Sequence, residues 1–255
     1  MSDSDLLDVT VDQGTALLTL NDPGRRNIIS GALVDRVCAA FDELEADPEV
    51  TAVVITGAGS AFCAGADLAD LLAAADGDSA GVRRVYDGFL RVARSPLPTV
   101  AAVNGPAVGA GFNLALACDV RIAGASAWFD TRFLKIGLHP GGGHTWMLHR
   151  LVGPQTAAAL VLFGERLDGA AAAAAGLVLR CVPDDELLTA ALQLAGRTRG
   201  VDPELLRRTK QTLRTAGDGR GHDDVLADET REQLWSLGLP DTRERLDAFR
   251  KELGG

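Results

Sequence analysis

Short apolar runs alternate with amphipathic stretches up to about residue 182 of the chain. Residues 9–20 predict two short strands joined by a turn at Gln13-Gly14. The continuous run at 51–56 is rich in β-branched residues, as in strands that are buried on both faces of a sheet, and 99–103 is a second such run. Further extended segments are predicted at 119–123, 127–134 and 177–182.

Between these strands, apolar residues recur at three- and four-residue intervals, which predicts amphipathic helices. Ser30 is a suitable N-cap for the first helix, and Asp47-Pro48 ends it. The apolar stripes of the first two helices are Leu33, Val34, Val37, Cys38, Phe41 and Leu44, then Val82, Val85, Tyr86, Phe89, Leu90 and Ala93. Later helices are predicted after Pro140–Gly143, at 154–163 and 168–175, and throughout the region that follows Asp184. A short helix through Ala117 is predicted after the glycine-rich stretch 104–111. The pattern as a whole predicts an α/β fold with a helical C-terminal extension.

Composition limits the classes of function. The chain has 255 residues, 47% of them hydrophobic and 24% charged, which is an ordinary globular balance and excludes intrinsic disorder. Its net charge of −10 argues against binding nucleic acid or an anionic membrane, because both favour a basic surface. The first fifteen residues carry four aspartates and no basic residue, unlike an export signal. The four cysteines are scattered, as expected of thiols in a reducing compartment, so we expect a cytoplasmic protein without a membrane span.

Glycine is unusually frequent, with 29 residues, and much of it lies in two loops that share one design. The first glycine-rich loop, 57–67, and the second, 104–111, each follow a predicted buried strand and lead into a helical or alanine-rich segment. Small residues let a ligand approach the backbone, and N–H groups at a helix start have no intrahelical acceptor. Two such loops can direct N–H groups at one oxyanion. The alternative from loop composition alone is tight turns in a close-packed core.

Several common catalytic motifs are absent from the sequence. Gly57-Ala-Gly59 lacks the third glycine of a dinucleotide fingerprint, and neither loop is followed by a phosphate-loop lysine. Ser60 and Ser126 lack the flanking glycines of a nucleophile elbow. The spacing of five between successive histidines at 139, 144 and 149 is poor geometry for a shared metal ion, so we expect no metal site.

Four segments carry a resemblance to one family. Residues 55–68 (ITGAGSAFCAGADL) resemble the first signature of the crotonase, or enoyl-CoA hydratase/isomerase, superfamily. Residues 102–119 (AVNGPAVGAGFNLALACD) resemble the second signature, and 129–148, with LHPGGG at 138–143, follow the third. Residues 21–29 are similar to the N-terminal segment of the same family.

The resemblance implies a fold, an assembly and a ligand. Members have a spiral of ββα units followed by a helical C-terminal region, and they assemble as trimers or as pairs of trimers. We therefore expect the spiral core and acyl-CoA site within 1–195, and a helical region for oligomerisation or site closure within 196–255. The implied ligand is an acyl-CoA thioester, with coenzyme A as part of the substrate and no separate cofactor.

The resemblance also implies the binding residues. Two backbone N–H groups would hold the enolate-like thioester oxygen, and in this chain they belong to Ala66 and Ala110, the second being a small departure from the usual glycine. Backbone carbonyls near three residues would bind the adenine of coenzyme A: Ile28, Ala64 and Leu68. Arg25 or Arg26 would meet the phosphates, because guanidinium groups pair well with phosphate. The alternative is that both arginines are solvated loop charges, and a basic residue common after the first signature is replaced by Ala69.

The acid/base positions depart from the family pattern. The two hydratase glutamates correspond to Asn113 and Phe133, neither of which exchanges a proton near neutral pH. Of the titratable groups nearby, His139 is the candidate general base, and His144 begins the following helix. Asp130 is a further candidate, although it can instead pair with the neighbouring arginine at 132. Asn113 would then orient a water or the thioester through its amide.

Two hypotheses follow from these residues. The first is an acyl-CoA hydratase, isomerase or related lyase that uses the two-amide oxyanion hole and a non-standard base. The second is a non-catalytic acyl-CoA-binding carrier, sensor or partner protein that has kept the pocket and lost the carboxylates. Turnover of enoyl-CoA substrates separates the two.

Overall fold

The sheet that the buried runs predict is present in the computed structural model, which describes residues 6–217 and 219–253. The chain forms two compact units, Met1–Arg199 and Gly200–Gly255. In the first unit, a six-stranded sheet has the order β1-β2-β3-β4-β6-β9. Its strands are β1 (Leu7–Asp12), β2 (Thr15–Leu20), β3 (Ala52–Gly57), β4 (Thr99–Val103), β6 (Val120–Gly124) and β9 (Arg180–Val182).

The direction of the strands fits the sequence pattern. β1 and β2 form an antiparallel hairpin, whereas every other neighbouring pair in this sheet is parallel. β3 and β4 lie at its centre and are buried along most of their length, which explains why their sequences lack polar alternation. A smaller three-stranded sheet has the order β5-β7-β8, made of β5 (Pro106–Val108), β7 (Trp128–Asp130) and β8 (Leu167–Asp168).

Helices cover both faces of the larger sheet. The helices of the first unit are α1 (Gly31–Ala46), α2 (Leu68–Ala75), α3 (Ala80–Arg94), α4 (Ala110–Ala117), α5 (His144–Leu162), α6 (Gly169–Ala174) and α7 (Leu187–Ala195). The larger hydrophobic core joins the apolar stripes of α1 and α3 to α4, and it contains fully buried phenylalanines at 41, 62, 89, 112 and 129. A smaller core forms on the other face, where α7 packs on β3, β4 and β6.

Local signals in the sequence set several helix ends. The Ser30 hydroxyl accepts a hydrogen bond from the Leu33 N–H, which confirms the predicted cap of α1. Gly153, with φ of 74°, interrupts α5 directly before Pro154, at the point where a new helix was predicted to begin. The buried Arg121 guanidinium donates to carbonyls at the C-terminal end of α4, including that of Cys118 at 2.7 Å, and so fixes this helix against the sheet.

Three segments differ from the prediction in the position or length of a strand. The second glycine-rich loop contains β5, which pairs with β7. Only Trp128–Asp130 of the predicted extended segment 127–134 is a strand, and a short 3₁₀ turn follows at Leu134–Ile136. The strand predicted at 177–182 is limited to β9, since residues 176–179 form a turn that leads into it.

The second unit is helical, as the pattern after Asp184 predicts. It contains α8 (Pro203–Ala216), α9 (His222–Leu237) and α10 (Pro240–Leu253). Arg208 joins α8 to α9, because its guanidinium pairs with Glu232 at 2.9 Å and lies 4.0 Å from the centre of the Trp235 ring. In the described ranges, no helix combines the length and the apolar character needed to cross a bilayer.

Candidate active site

The two glycine-rich loops and the segment at 26–29 are joined by backbone hydrogen bonds. The Cys63 N–H donates to the Pro106 carbonyl at 3.0 Å, and the Val108 N–H donates to the Cys63 carbonyl at 3.0 Å. On the other side of the first loop, the Ile29 N–H donates to the Gly65 carbonyl at 2.8 Å. The first loop therefore lies between the other two segments in a fixed register.

Glycine is required where the two loops meet. Gly65 has φ of +112°, and a Cβ at this position would lie 2.9 Å from the Val108 carbonyl oxygen and 3.8 Å from the Ala110 nitrogen. A Cβ at Gly111 would lie 2.1 Å from the Cys63 carbonyl oxygen, which is a severe overlap. The start of α4 can approach the first loop this closely only because both side chains are absent.

Ala66 and Ala110 lie on facing parts of these loops. Both residues are half-buried, and Ala110 is the first residue of α4. Within the described residues, no acceptor is found for the N–H of Ala66 or for that of Ala110. An N–H at the first helical position has no intrahelical partner, and the helix dipole adds partial positive charge there. The N–H groups of Ala66 and Ala110 are thus available as donors close to where the two loops meet.

Two asparagines hold the first loop in shape, and neither was singled out from the sequence. Asn27 is fully buried, with φ of 56°, and its amide donates to the carbonyls of Ala58 at 2.9 Å and Ala61 at 2.8 Å. The Asn104 side chain accepts from the Gly57 N–H at 3.1 Å and donates to its carbonyl at 2.8 Å. The signal available in the sequence is a polar residue beside apolar runs, which does not distinguish a structural role from a catalytic one.

The predicted coenzyme A residues lie beside this framework. The Ala64 N–H donates to the Arg26 carbonyl at 3.0 Å, which brings the predicted Ile28 and Ala64 positions together, and both residues are half-buried. Leu68, at the start of α2, is 67% exposed. Among the described residues, these three leave an open edge next to the first loop.

The two arginines differ in their partners. Arg25 is held by carboxylates, at 2.7 Å from Asp22 and 3.5 Å from Asp67. Arg26 is exposed, and its side chain has no ion pair or hydrogen bond within the part of the chain that the structure describes. Arg26 is therefore the better placed of the two to meet an anionic ligand.

The side chains of Asn113 and His144 form a buried pair. The Asn113 Nδ2 atom donates to the Gly141 carbonyl at 3.0 Å, and its Oδ1 atom lies 2.6 Å from Nδ1 of His144. Because a carbonyl needs a donor, the atom near Gly141 must be the amide nitrogen and the atom near His144 the amide oxygen. An amide oxygen only accepts, so Nδ1 of His144 must carry a proton.

The remaining nitrogen of His144 has a different environment. The residue is 1% exposed, and Nε2 is buried with no hydrogen-bond partner among the described residues. Burial lowers the pKa of His144 to about 4, which keeps the ring neutral at pH 7. A neutral ring with a proton on Nδ1 has a lone pair on Nε2. Nε2 is therefore an unused buried acceptor.

Phe133 also packs against this histidine. The centres of the two rings are 5.0 Å apart at an interplanar angle of 64°, and the centre of the Phe112 ring lies 5.3 Å from that of His144. Asn113 and Phe133, where the family resemblance implies the two hydratase glutamates, thus both contact His144. The sequence placed His144 near the site but gave no sign of this pairing, since its partner Asn113 is 31 residues away.

The other titratable candidates are placed differently. His139 is exposed, with Nδ1 lying 2.7 Å from the Pro140 carbonyl oxygen, and it makes no described contact with Asn113 or Phe133. Asp130 is buried between Arg132 and Arg166, each at 2.8 Å, which confirms the alternative in which it pairs with the neighbouring arginine. Its carboxylate is fully engaged in salt bridges.

Other side-chain chemistry at the site is limited. Burial raises the pKa of the Cys63 thiol to about 12, so this residue stays protonated and is a poor nucleophile. No three side chains of the His, Cys, Asp or Glu type come together as metal ligands in residues 6–217 and 219–253. The chemistry that the described groups offer is hydrogen-bond donation from two backbone N–H groups and proton acceptance at one imidazole nitrogen.

Comparison with known proteins gives consistent results across the chain. The family model described as "Enoyl-CoA hydratase/isomerase" matches residues 10–236. A protein of Mycobacterium tuberculosis described as "Probable enoyl-CoA hydratase EchA14" is 52% identical over 222 residues, which cover 86% of each chain. The 2,3-dehydroadipyl-CoA hydratase of Escherichia coli is 40% identical over 210 residues, or 81% of this chain and 80% of that protein.

The fold is also shared with solved structures. The crystal structure of an enoyl-CoA hydratase from a Polaromonas species is 31% identical and superposes with a TM-score of 0.90. The alignment covers 96% of this chain and 97% of that chain. This likeness confirms the predicted crotonase-like α/β fold class.

Proposed function

Because the chain belongs to the enoyl-CoA hydratase/isomerase family, we propose that it is an acyl-CoA enzyme of that type, in which Ala66 and Ala110 supply the oxyanion hole. The substrate class is an α,β-unsaturated or isomeric enoyl thioester. The observation that carries the proposal is the meeting of the two glycine-rich loops, where both N–H groups lack an acceptor among the described residues.

The reaction would use this pair of donors at the thioester carbonyl. Addition of water to the double bond, or movement of the double bond, both place negative charge on the thioester oxygen. Two fixed N–H groups stabilise that charge more than they stabilise the neutral carbonyl, which lowers the barrier. Coenzyme A enters as part of the substrate, and the proposed step requires no separate cofactor or metal.

The coenzyme A moiety would lie along the open edge beside the first loop. The backbone near Ile28, Ala64 and Leu68 would contact the adenine, and Arg26 would pair with the phosphates. A local cation is important here because the chain has a net charge of −10 and coenzyme A is a polyanion. Arg25 would contribute less directly, since Asp22 and Asp67 already hold its guanidinium.

A second candidate function is a non-catalytic acyl-CoA-binding protein. In its favour, the positions where the family resemblance implies the two carboxylates hold Asn113 and Phe133, and the Asp130 carboxylate is engaged in salt bridges. In this alternative the loops bind the thioester, and no group transfers a proton. It would act as a carrier, sensor or partner subunit.

The cellular setting and assembly are part of the same proposal. The acidic charge and the scattered free cysteines favour a cytoplasmic protein that acts on a small molecule rather than on nucleic acid or a membrane. A homotrimer or hexamer is supported by the large apolar side chains exposed on the second unit. They are Leu213, Leu226, Leu234, Leu237, Leu246 and Phe249.

The proposal is tested by combining turnover and binding measurements. Purified protein is mixed with a chain-length series of trans-2-enoyl-CoA and with 3-enoyl-CoA, and the absorbance of the conjugated thioester is followed while acyl-CoA binding is titrated separately. Enzyme function predicts saturable turnover with at least one chain length. Binding without turnover of any substrate would support the second candidate, and the absence of binding would contradict both.

A further inference from the structure

We infer that His144 is the catalytic acid/base residue of this site, acting through Nε2 with its tautomer fixed by Asn113. The inference rests on the proposed function, since it assigns the proton transfer that enoyl thioester chemistry requires. It also explains how the chain can lack both family glutamates and still move a proton.

The tautomer is determined by hydrogen bonding alone. The Gly141 carbonyl orients the Asn113 amide, the amide oxygen accepts from Nδ1–H of His144, and Nε2 is left with a lone pair directed away from Asn113. A histidine held in this way resembles other catalytic arrangements in which one ring nitrogen is fixed and the other is free to react. A histidine that only filled space would not need this chain of polar contacts.

The position of His144 relative to the oxyanion donor supports a direct role. Asn113 follows Ala110 by three residues on α4, so the two residues lie on the same face of the helix, about 5 Å apart. His144 contacts Asn113 directly and is therefore within one side chain of the proposed oxyanion hole. Phe133, at the second glutamate position, contacts the same imidazole ring.

The environment of Nε2 also distinguishes it from an ordinary core atom. A buried polar atom without a hydrogen bond costs free energy, and native proteins keep few of them without a reason. Nε2 is such an atom, in a ring packed between Phe112 and Phe133. A water molecule or a substrate hydroxyl donating to Nε2 would satisfy it. Negative charge that develops on the thioester would then favour the protonated ring.

The proposed step is balanced within the site. Water transfers one proton to Nε2 of His144 while its oxygen forms a bond to the β-carbon of the enoyl thioester. The electron pair of the double bond moves onto the thioester oxygen, where the N–H groups of Ala66 and Ala110 stabilise it. Nε2–H then protonates the α-carbon, which restores the thioester carbonyl and the neutral ring. The net change is the addition of one water molecule, without an oxidant or reductant.

The first test compares three single-residue variants in the turnover assay. His144→Gln keeps an amide that can donate to Asn113 but cannot act as a base, so we expect kcat to fall by about 10²–10⁴-fold while KM changes by less than about threefold. His149→Ala, an exposed position on the same helix, is the matched control and should retain wild-type activity. His139→Ala tests which of the two histidines transfers the proton. A decrease in kcat as large as that of His144→Gln would overturn the inference.

A second measurement does not depend on the stability of a variant. Long-range proton–nitrogen NMR spectra of the wild-type protein at pH 7 should show a protonated Nδ1 and an unprotonated Nε2 for His144. Addition of a 3-hydroxyacyl-CoA should shift the Nε2 resonance and leave that of His149 unchanged. A protonated Nε2, or no response to the ligand, would overturn the inference even in an active enzyme. If wild-type protein binds no acyl-CoA and turns none over, the proposed function itself has failed.

Discussion

The two sides of the candidate site are built from different parts of the polypeptide. The oxyanion side consists of backbone N–H groups, placed by glycines that allow α4 to approach the first loop. The acid/base side consists of side chains, in which Asn113 fixes His144 next to Phe133. Backbone donors remain when side chains are replaced, whereas proton transfer depends on a single side chain. On this proposal, a variant that has lost proton transfer would still bind the thioester.

The largest effect expected on the oxyanion side comes from removing one of its two N–H donors. Ala110→Pro deletes the N–H at the first position of α4, where proline is tolerated, as Pro203 already shows at the start of α8. We expect kcat to fall by about 10²–10³-fold, the usual cost of one lost oxyanion donor. The measurement is turnover of trans-2-enoyl-CoA, with a thermal melt to show that the variant is folded. A folded variant with wild-type kcat would remove Ala110 from the site.

A second substitution tests whether the two glycine-rich loops can approach each other only because Gly111 has no side chain. Gly111→Ala would place a Cβ within 2.1 Å of the Cys63 carbonyl oxygen, so the loops must separate. We expect a loss of about 1–3 kcal/mol in the free energy of unfolding, as for other overpacked core positions, together with weaker acyl-CoA binding. Urea denaturation measures the first effect and a binding titration the second. Gly24→Ala is the control, because nothing lies within 4 Å of a Cβ at that position. Equal stability of the two variants would contradict the close approach.

On the acid/base side, the burial of His144 predicts how the free energy of unfolding depends on pH. Burial holds the pKa of His144 at about 4 in the folded protein, whereas an unfolded histidine titrates near about 6.5. Between these values the unfolded state binds the extra proton, so the free energy of unfolding falls as the pH decreases, by at most about 1.4 kcal/mol per pH unit. His144→Gln should show a smaller decrease from pH 6.5 to 4, measured by denaturation at each pH.

The exposed His149 provides the comparison for that measurement. His149→Ala should keep the wild-type dependence, because this exposed substitution leaves the buried His144 in place. Identical curves for the wild type and His144→Gln would show that His144 is not buried in its neutral form.

The smallest expected effect concerns Arg26, beside the proposed binding site of the coenzyme A phosphates. Arg26→Ala should weaken acyl-CoA binding by about fivefold, since an exposed charge pair contributes only ~1 kcal/mol. The loss should shrink at high salt, where exposed charges are screened. Titration calorimetry at two salt concentrations measures both effects. Arg36→Ala, an exposed arginine on α1, should bind as the wild type does. Equal losses in the two variants would point to the overall charge of the protein rather than to Arg26.

The parts of the structure that follow from local sequence were predictable. The central strands β3 and β4 are continuous apolar runs, Ser30 caps α1, and Gly153-Pro154 marks the break in α5. The resemblance of two glycine-rich motifs to known signatures assigned Ala66 and Ala110, and the structure places their loops in contact. In these cases the residues that determine the feature are close together in the chain.

The remaining features depend on contacts between distant residues. β5 forms because it pairs with β7, some twenty residues later in the chain, although its own three residues carry no clear strand pattern. From the sequence, His139 was the candidate base, and nothing in the sequence identified His144 as the partner of Asn113. Only the packing of α5 against α4 distinguishes them, because it buries His144 and leaves His139 exposed.

The most direct test of the oxyanion hole is the absorbance spectrum of a bound, conjugated acyl-CoA such as a 2,4-dienoyl-CoA. Two hydrogen bonds to the thioester oxygen polarise the conjugated system and shift its absorbance to longer wavelength. We expect this red shift with the wild-type protein and with His144→Gln, and a clearly smaller shift with Ala110→Pro. A bound ligand whose spectrum is the same as in free solution would contradict the placement of the thioester between Ala66 and Ala110.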